Sequence, residues 1–303
     1  NRKENIDAQH LEVRIPELNI VQKLNVNKNG EAKFEIAAKP LLWSPESPKL
    51  YAVDIQYQQD VVRDKIGFRT IAVQGENILL NGKSVFLRGI SIHEESPLHH
   101  GRAWSEEDAR QLLTWAKELG CNFVRLAHYP HSENMVRMAD QIGLMVWSEI
   151  PVYWTVLFNN PAVDAKAENQ LEEMIARDKN RASIVMWSMA NETPNSPARL
   201  KFIGQLAEKA RELDTTRLIT AALDTQSDDK GAKSIDDPLS AIVDVIGVNS
   251  YCGWYAATPG SCANLKWVSR YRKPVIMSEF GADALQGFHG DKAQRWTEEY
   301  QAV

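Results

Sequence analysis

Two glutamates in this chain occupy positions where a carboxylate is expensive to keep. Glu192 closes the run Ile-Val-Met-Trp-Ser-Met-Ala-Asn that begins at Ile184, and Glu279 closes Val-Ile-Met-Ser from Val275. A carboxyl group at the end of an apolar strand loses hydration, so it needs a partner or a chemical task. Two such groups brought to one rim from non-adjacent strands can face each other across a cleft. Cleavage of a glycosidic bond needs that pair: one acid to protonate the departing oxygen, one carboxylate to attack or to activate water. The bland alternative pairs each Glu with an Arg or Lys inside the fold. The joint pattern, with Asn191 directly before Glu192, weighs against it.

Other polar groups close strands of the same kind: His93, His128, Glu149 and Asn249. His93 and His128 read as hydrogen-bonding groups lining a pocket, and Glu149 as a support for its neighbours. A metal site built from His93, Glu94, Glu95, His99 and His100 matches no zinc spacing, because H-E-x-x-H requires His at 97 and Pro97 is there. Of nine tryptophans, Trp154 and Trp254 suit a sugar-binding cleft, whereas Trp187 lies within a strand and belongs to the core.

The elements that must carry these residues fall into two grammars. Residues 1–72 read as β, with alternating runs at 33–38 and 50–57 separated by turn-rich pieces such as Asn27-Lys28-Asn29-Gly30. That is part of an immunoglobulin-like β-sandwich, which needs about 100 residues when whole. Residues 73–303 alternate apolar strands with amphipathic helices. The strands are Val85–Ser91, Phe123–Tyr129, Met145–Ile150, Ile184–Asn191, Leu218–Leu223, Val245–Tyr251 and Val275–Phe280. Helices are expected at 105–119, 133–142, 165–180, 197–213, 263–271 and from 292 onward, and a mobile polar loop at Asp224–Gly231. The first strand leads into no glycine-rich phosphate cradle, which disfavours a doubly wound nucleotide fold. Functional groups at the C-terminal ends of many strands favour an α/β (β/α)8 TIM barrel, with seven strands read here and the eighth βα unit missing.

Composition narrows the classes further. Lys and Arg number 35 against 40 Asp and Glu, so no basic excess recommends nucleic acid, and no apolar run approaches the ~18 residues of a membrane span. Three cysteines, Cys121, Cys252 and Cys262, form no C-x-x-C unit, so neither a disulfide framework nor a zinc cluster is expected. Cys252 reads as a space filler. No cofactor motif is present, and no metal is called for. The partner expected is a carbohydrate; a homo-oligomer is left open, and so is the compartment, since no leader is visible.

The barrel region closely resembles glycoside hydrolase family 2, the β-glucuronidases and β-galactosidases. The resemblance runs from Ile66-Gly67-Phe68-Arg69 through Leu80 to Gly89, His93-Glu94, Arg125-Leu-Ala-His-Tyr-Pro130, Arg177-Asp-Lys-Asn180, Met186 to Glu192, and Ser278-Glu-Phe-Gly281. It implies that Glu192 is the general acid/base, Glu279 the nucleophile, and Asn191 a donor to the sugar 2-hydroxyl. Double displacement with retention would follow, with Glu192 keeping its proton while Glu279 is ionised. The segment from Asn249 through Trp254 to Tyr255 is similar to the glucuronidase Asn-x-Tyr-x-Gly-Trp-Tyr stretch, which implies a glucuronide and places Asn249 and Tyr255 near the glycone. The Asn-x-Lys pair that grips a glucuronide carboxylate in the family lies well after the nucleophile, and no such pair follows Glu279 in these residues. A β-galactosidase is therefore the alternative within the family, and a carbohydrate-binding fragment without turnover is the alternative of another class. One departure, Arg181-Ala-Ser where members commonly have His-Pro-Ser, should alter a turn and leave the chemistry alone.

Overall fold

The computed structural model describes residues 10–227, 232–255 and 257–303. The chain begins with an antiparallel sheet of four strands, β1 (His10–Ile15), β2 (Ile20–Asn25), β3 (Tyr51–Tyr57) and β4 (Asp60–Ile66), in the order β2-β1-β3-β4. Alternation places Val13, Ile15, Tyr51 and Val53 on one covered face. This sheet occupies the region read from the sequence as an immunoglobulin-like β-sandwich. The segment 33–38, expected as a strand, joins no ladder. Its apolar residues Phe34 and Ile36 stay exposed, so pairing there would bury nothing.

A small antiparallel sheet follows: β5 (Ile71–Gln74), β6 (Asn77–Leu80) and β7 (Lys83–Ser84). Its Ile78 and Leu80 pack with Trp43 against Phe123, Met145, Trp147 and Val185, closing the bottom of the barrel. Trp43 is fully buried and donates its indole N–H to the Asp140 carbonyl at 2.9 Å. Asp64 on β4 binds both Arg137 and Arg181. The Arg181 that departs from the family pattern thus helps to fasten the sandwich sheet to the barrel.

The barrel is a seven-stranded parallel sheet among the described residues. Its elements run β8 (Gly89–Ile92), α1 (Glu106–Glu118), β9 (Phe123–Leu126), α2 (Glu133–Ile142), β10 (Met145–Glu149), α3 (Pro161–Asp178), β11 (Ile184–Asn191), α4 (Pro197–Leu213) and β12 (Leu218–Asp224). After the short β13 (Gln226–Ser227) and β14 (Lys233–Ile235) come β15 (Val245–Asn249), β16 (Trp267–Ser269), β17 (Val275–Glu279) and α5 (Glu298–Ala302). The strand order β17-β15-β12-β11-β10-β9-β8 brings the first and last strands together without a ladder. The Ser91 hydroxyl donates to the Ser278 carbonyl at 3.2 Å across that seam. Helices are defined by local chemistry: Ser105 and Asp108 form a capping box on α1, worth about 1 kcal/mol. The four long helices each bury one stripe, such as Met135, Val136, Met138 and Ala139 on α2.

Inside the barrel, Gly247 on β15 makes room for the Trp147 ring. A Cβ at 247 would lie 2.4 Å from that ring. The packing matters for the site, because the Trp147 indole N–H is aimed at Glu149 two residues along.

Two expected helices are corrected. Residues 263–271 hold the end of a 3-10 turn, Pro259–Asn264, and then β16, which pairs in parallel with β14. The aromatic and β-branched Trp267 and Val268 suit a strand, and only a short stretch separates them from the Pro-Gly turn. The final helix is confined to Glu298–Ala302 behind its Thr297 cap. Conversely α3 starts earlier than expected, at Pro161, where the Asn160 side chain accepts from the Ala162 N–H. Residues 228–231 of the expected mobile loop lie outside the described residues.

Candidate active site

Glu192 follows β11 and Glu279 ends β17, so both carboxylates project from the C-terminal rim of the barrel. They are tied together through β15, one of the two strands between β11 and β17. Asn249, at the end of β15, donates from Nδ2 to Glu192 Oε1 at 2.9 Å and to Asn191 Oδ1 at 3.2 Å. Its Oδ1 accepts from the hydroxyl of Ser278, the neighbour of Glu279, at 2.7 Å. Asn249 is buried and its polar atoms are engaged with protein groups, so it acts on the orientation of its neighbours.

Glu279 is gripped from two sides. Arg125 Nη1 donates to Oε1 at 2.7 Å, and the Tyr251 hydroxyl donates to Oε2. Burial, helped by the adjacent Glu279, pushes the Tyr251 phenol well above its usual range, so it remains a proton donor. His128 presents Nε2 at 3.8 Å from the same Oε1. A hydrogen bond to a charged acceptor contributes about 1.5–3 kcal/mol, so Tyr251→Phe is expected to lower kcat roughly 10- to 100-fold. Steady-state kinetics checks this: a kcat within twofold of the parent chain would show that the phenol contributes nothing to the reactivity of Glu279.

Arg125, in the middle of β9, is the centre of the cluster. It is almost wholly buried, donates to Glu149 through Nε and Nη2 at 3.0 Å each, and to Asn191 Oδ1 at 2.6 Å. Its guanidinium also lies over the Trp147 ring, 5.1 Å from the centroid. Burial alone would lower its proton affinity, but Glu149 and Glu279 hold it above the ordinary value. Glu149 accepts further from Trp147 Nε1 at 2.7 Å and from His128 Nδ1 at 2.8 Å. Burial drives the Glu149 carboxyl upward, yet Arg125 and His128 outweigh it and hold it below the usual carboxylate range. With both oxygens saturated, Glu149 is an orienting group for Arg125 and His128.

The remaining expected residues lie further out. His93 is exposed at the end of β8, edge-on to His128 at 5.2 Å between centroids. Tyr255 is exposed and touches the Tyr251 ring, centroids 5.3 Å apart. Trp254 packs on Trp296 at 4.9 Å, with Arg295 over its ring at 5.4 Å, and has no described contact with either carboxylate. Trp154, by contrast, donates its indole N–H to Glu192 Oε2 at 3.1 Å.

The segment that carries Tyr251 is covalently fastened. Cys252 and Cys262 form a disulfide, where no such bond was expected from the cysteine count. A count excludes a multi-bridge framework but says nothing about a single bond between two cysteines ten residues apart. Tyr300 of α5 adds a hydrogen bond to the Gly253 carbonyl.

Residues 71–303 match the model of the family described as glycosyl hydrolases family 2, TIM barrel domain, and residues 2–69 match that of glycosyl hydrolases family 2. A β-glucuronidase of Paenibacillus borealis is 33% identical over 287 residues, covering 86% of this chain and 47% of that protein. One of Rattus norvegicus is 34% identical over 283 residues, 87% of this chain and 42% of its own length. Among solved structures, a β-galacturonidase of Eisenbergiella tayi bound to galacturonate superposes with a TM-score of 0.80 at 28% identity, covering 97% of this chain and 54% of that one. The Bifidobacterium dentium β-glucuronidase complexed with coumarin-3-O-glucuronide gives 0.81 at 27% identity, covering 97% and 50%. The chain spans about half the length of the relatives it matches.

Proposed function

Because this chain belongs to glycosyl hydrolase family 2, we propose that it carries the catalytic pair of a retaining exo-β-glycosidase acting on β-glucuronides. The observation that supports the reading best is the unequal treatment of the two carboxylates. Glu279 is held by a buried cation and a phenol, which suits a nucleophile that must be ionised and aimed. Among the described residues, the Glu192 carboxylate meets only neutral N–H donors, from Asn249 and Trp154.

In the first step Glu279 attacks the anomeric carbon, the bond to the leaving oxygen breaks, and that oxygen takes the Glu192 proton. Water then gives a proton to Glu192 and its oxygen to the anomeric carbon, which releases Glu279. Asn191 accepts from Arg125 and Asn249 on its Oδ1, so its amide N–H groups are oriented as donors toward a sugar hydroxyl. Charge developing on the sugar ring in the transition state is met by Glu279 and by a preorganised set of dipoles. No cofactor takes part in this scheme.

Glucuronide is favoured over galactoside by the names of the sequence relatives, while the galacturonate-bound neighbour motivates its C4 epimer as a second uronide. A panel of chromogenic β-glucuronide, β-galacturonide and β-galactoside, with the anomer of the first product followed by NMR, tests the proposal. Faster turnover of the glucuronide with β product first is the expected result. Turnover of galactoside alone, or an α product, would overturn it.

A further inference from the structure

Trp154 departs from ordinary geometry at both ends of one hydrogen bond. Its backbone lies at φ 54°, and that of its partner Glu192 at φ 48°, both in the left-handed region. Large side chains avoid that region, and such residues persist where the surrounding structure imposes them, often at functional sites. Main-chain links impose it here: the Trp154 N–H donates to the Asn191 carbonyl at 3.0 Å, and the Asn191 N–H to that of Val152 at 2.9 Å. The indole is thereby delivered to the Glu192 carboxylate while the residue stays 63% exposed. Tyr153 stands perpendicular to it, 5.5 Å between centroids, and reaches back toward the His128 ring at 5.8 Å.

We propose that Trp154 is the leaving-group platform of the site, its N–H orienting Glu192 and its open face stacking on the ring of the departing group. The inference rests on reading Glu192 as the proton donor. A donor must come within about 2.6–3.2 Å of the oxygen it protonates, so a side chain bonded to that carboxyl group borders the leaving group. The cleaved sugar lies on the other side, toward Glu279, Arg125 and His128. An exposed indole face gains dispersion and apolar burial from a flat or ring-shaped group laid on it, and almost none from a methyl group. As the proton passes from Glu192 to the leaving oxygen, the carboxylate that forms accepts the Trp154 and Asn249 N–H groups. The same indole thus acts on binding and on proton transfer.

The test compares phenyl and methyl β-glycosides of whichever sugar the full 303-residue chain hydrolyses fastest. Affinities are measured by calorimetry in a Glu279→Gln background and rates in the active chain. The phenyl glycoside should bind about tenfold more tightly. Trp154→Ala should abolish that preference and raise KM for the phenyl substrate. Trp154→Phe should keep most of the preference yet lower kcat about tenfold, having lost the N–H on Glu192. Equal affinity for the two glycosides in the parent chain would overturn the proposal. So would an equal loss for both in Trp154→Ala, which marks a structural role. Turnover of no glycoside at all would instead remove the reading of Glu192 and, with it, this inference.

Discussion

Glu279→Gln is expected to lower kcat by about 10⁴-fold or more while leaving the chain folded, since removing a covalent nucleophile from an otherwise intact site has an effect of that order. The amide matches the carboxylate in shape, and its oxygen can still accept from Arg125. It cannot form the glycosyl ester. Arg125 keeps its bidentate contact with Glu149, so the buried cation is not left unpartnered. Far-UV circular dichroism and a thermal melt should therefore resemble those of the parent chain. Retention of more than about one hundredth of the rate would remove Glu279 from the nucleophile's role and leave the cluster in need of another explanation.

Arg125→Met should destabilise the chain by about 3–5 kcal/mol, the range found when one partner of a buried ion pair is removed, and lower kcat/KM some 10²- to 10³-fold. The pH dependence of the Glu149 contribution to stability should also reverse its direction. In the parent chain Glu149 is depressed below its unfolded value, so its contribution is fully present above the ordinary carboxylate range and is lost only as pH falls below that range through the lowered folded value. Without Arg125, burial dominates and raises the Glu149 carboxyl, so the variant gains stability as pH falls and the group takes up a proton. Urea unfolding at pH 7.5 and pH 5 should show the gap between the two proteins narrowing at the lower pH. A gap that is constant across that range would mean that lost packing, and not an unpaired charge, causes the effect.

The sequence exposed the part of the site in which polarity conflicts with position. Glu192 and Glu279 end apolar strands, and that conflict is visible without coordinates. Arg125 presents the same conflict more sharply, a cation inside Phe-Val-Arg-Leu, yet its role depends on three partners 24, 66 and 154 residues away. No local pattern reveals such a convergence. Tyr251 follows Asn249 by two positions, the spacing that places side chains on one side of an extended segment; that signal could have found it in place of Trp254. Strand order followed from alternating grammar, because parallel strands and covering helices leave long, regular signatures. The failures were short segments. Residues 33–38 alternate but have nothing to bury against, and 263–271 yields to a turn and a three-residue strand. Trp154 could be nominated from its ring alone, but its bond to Glu192 depends on a left-handed backbone that propensity does not report.

The sharing of Arg125 has an electrostatic consequence for the choice of sugar. One positive charge divided between Glu149 and Glu279 leaves the resting cluster with a surplus of one negative charge. That surplus attracts the cationic ring of the transition state, and it disappears when Glu279 becomes an ester. Toward an anionic sugar acid the same surplus is repulsive at every stage before bond formation. A uronide must therefore be anchored by a cation outside this cluster, far enough from Arg125 that the two do not compete for the nucleophile. Selectivity for the acid group and reactivity at the anomeric carbon would then belong to separate positive centres, and could change independently.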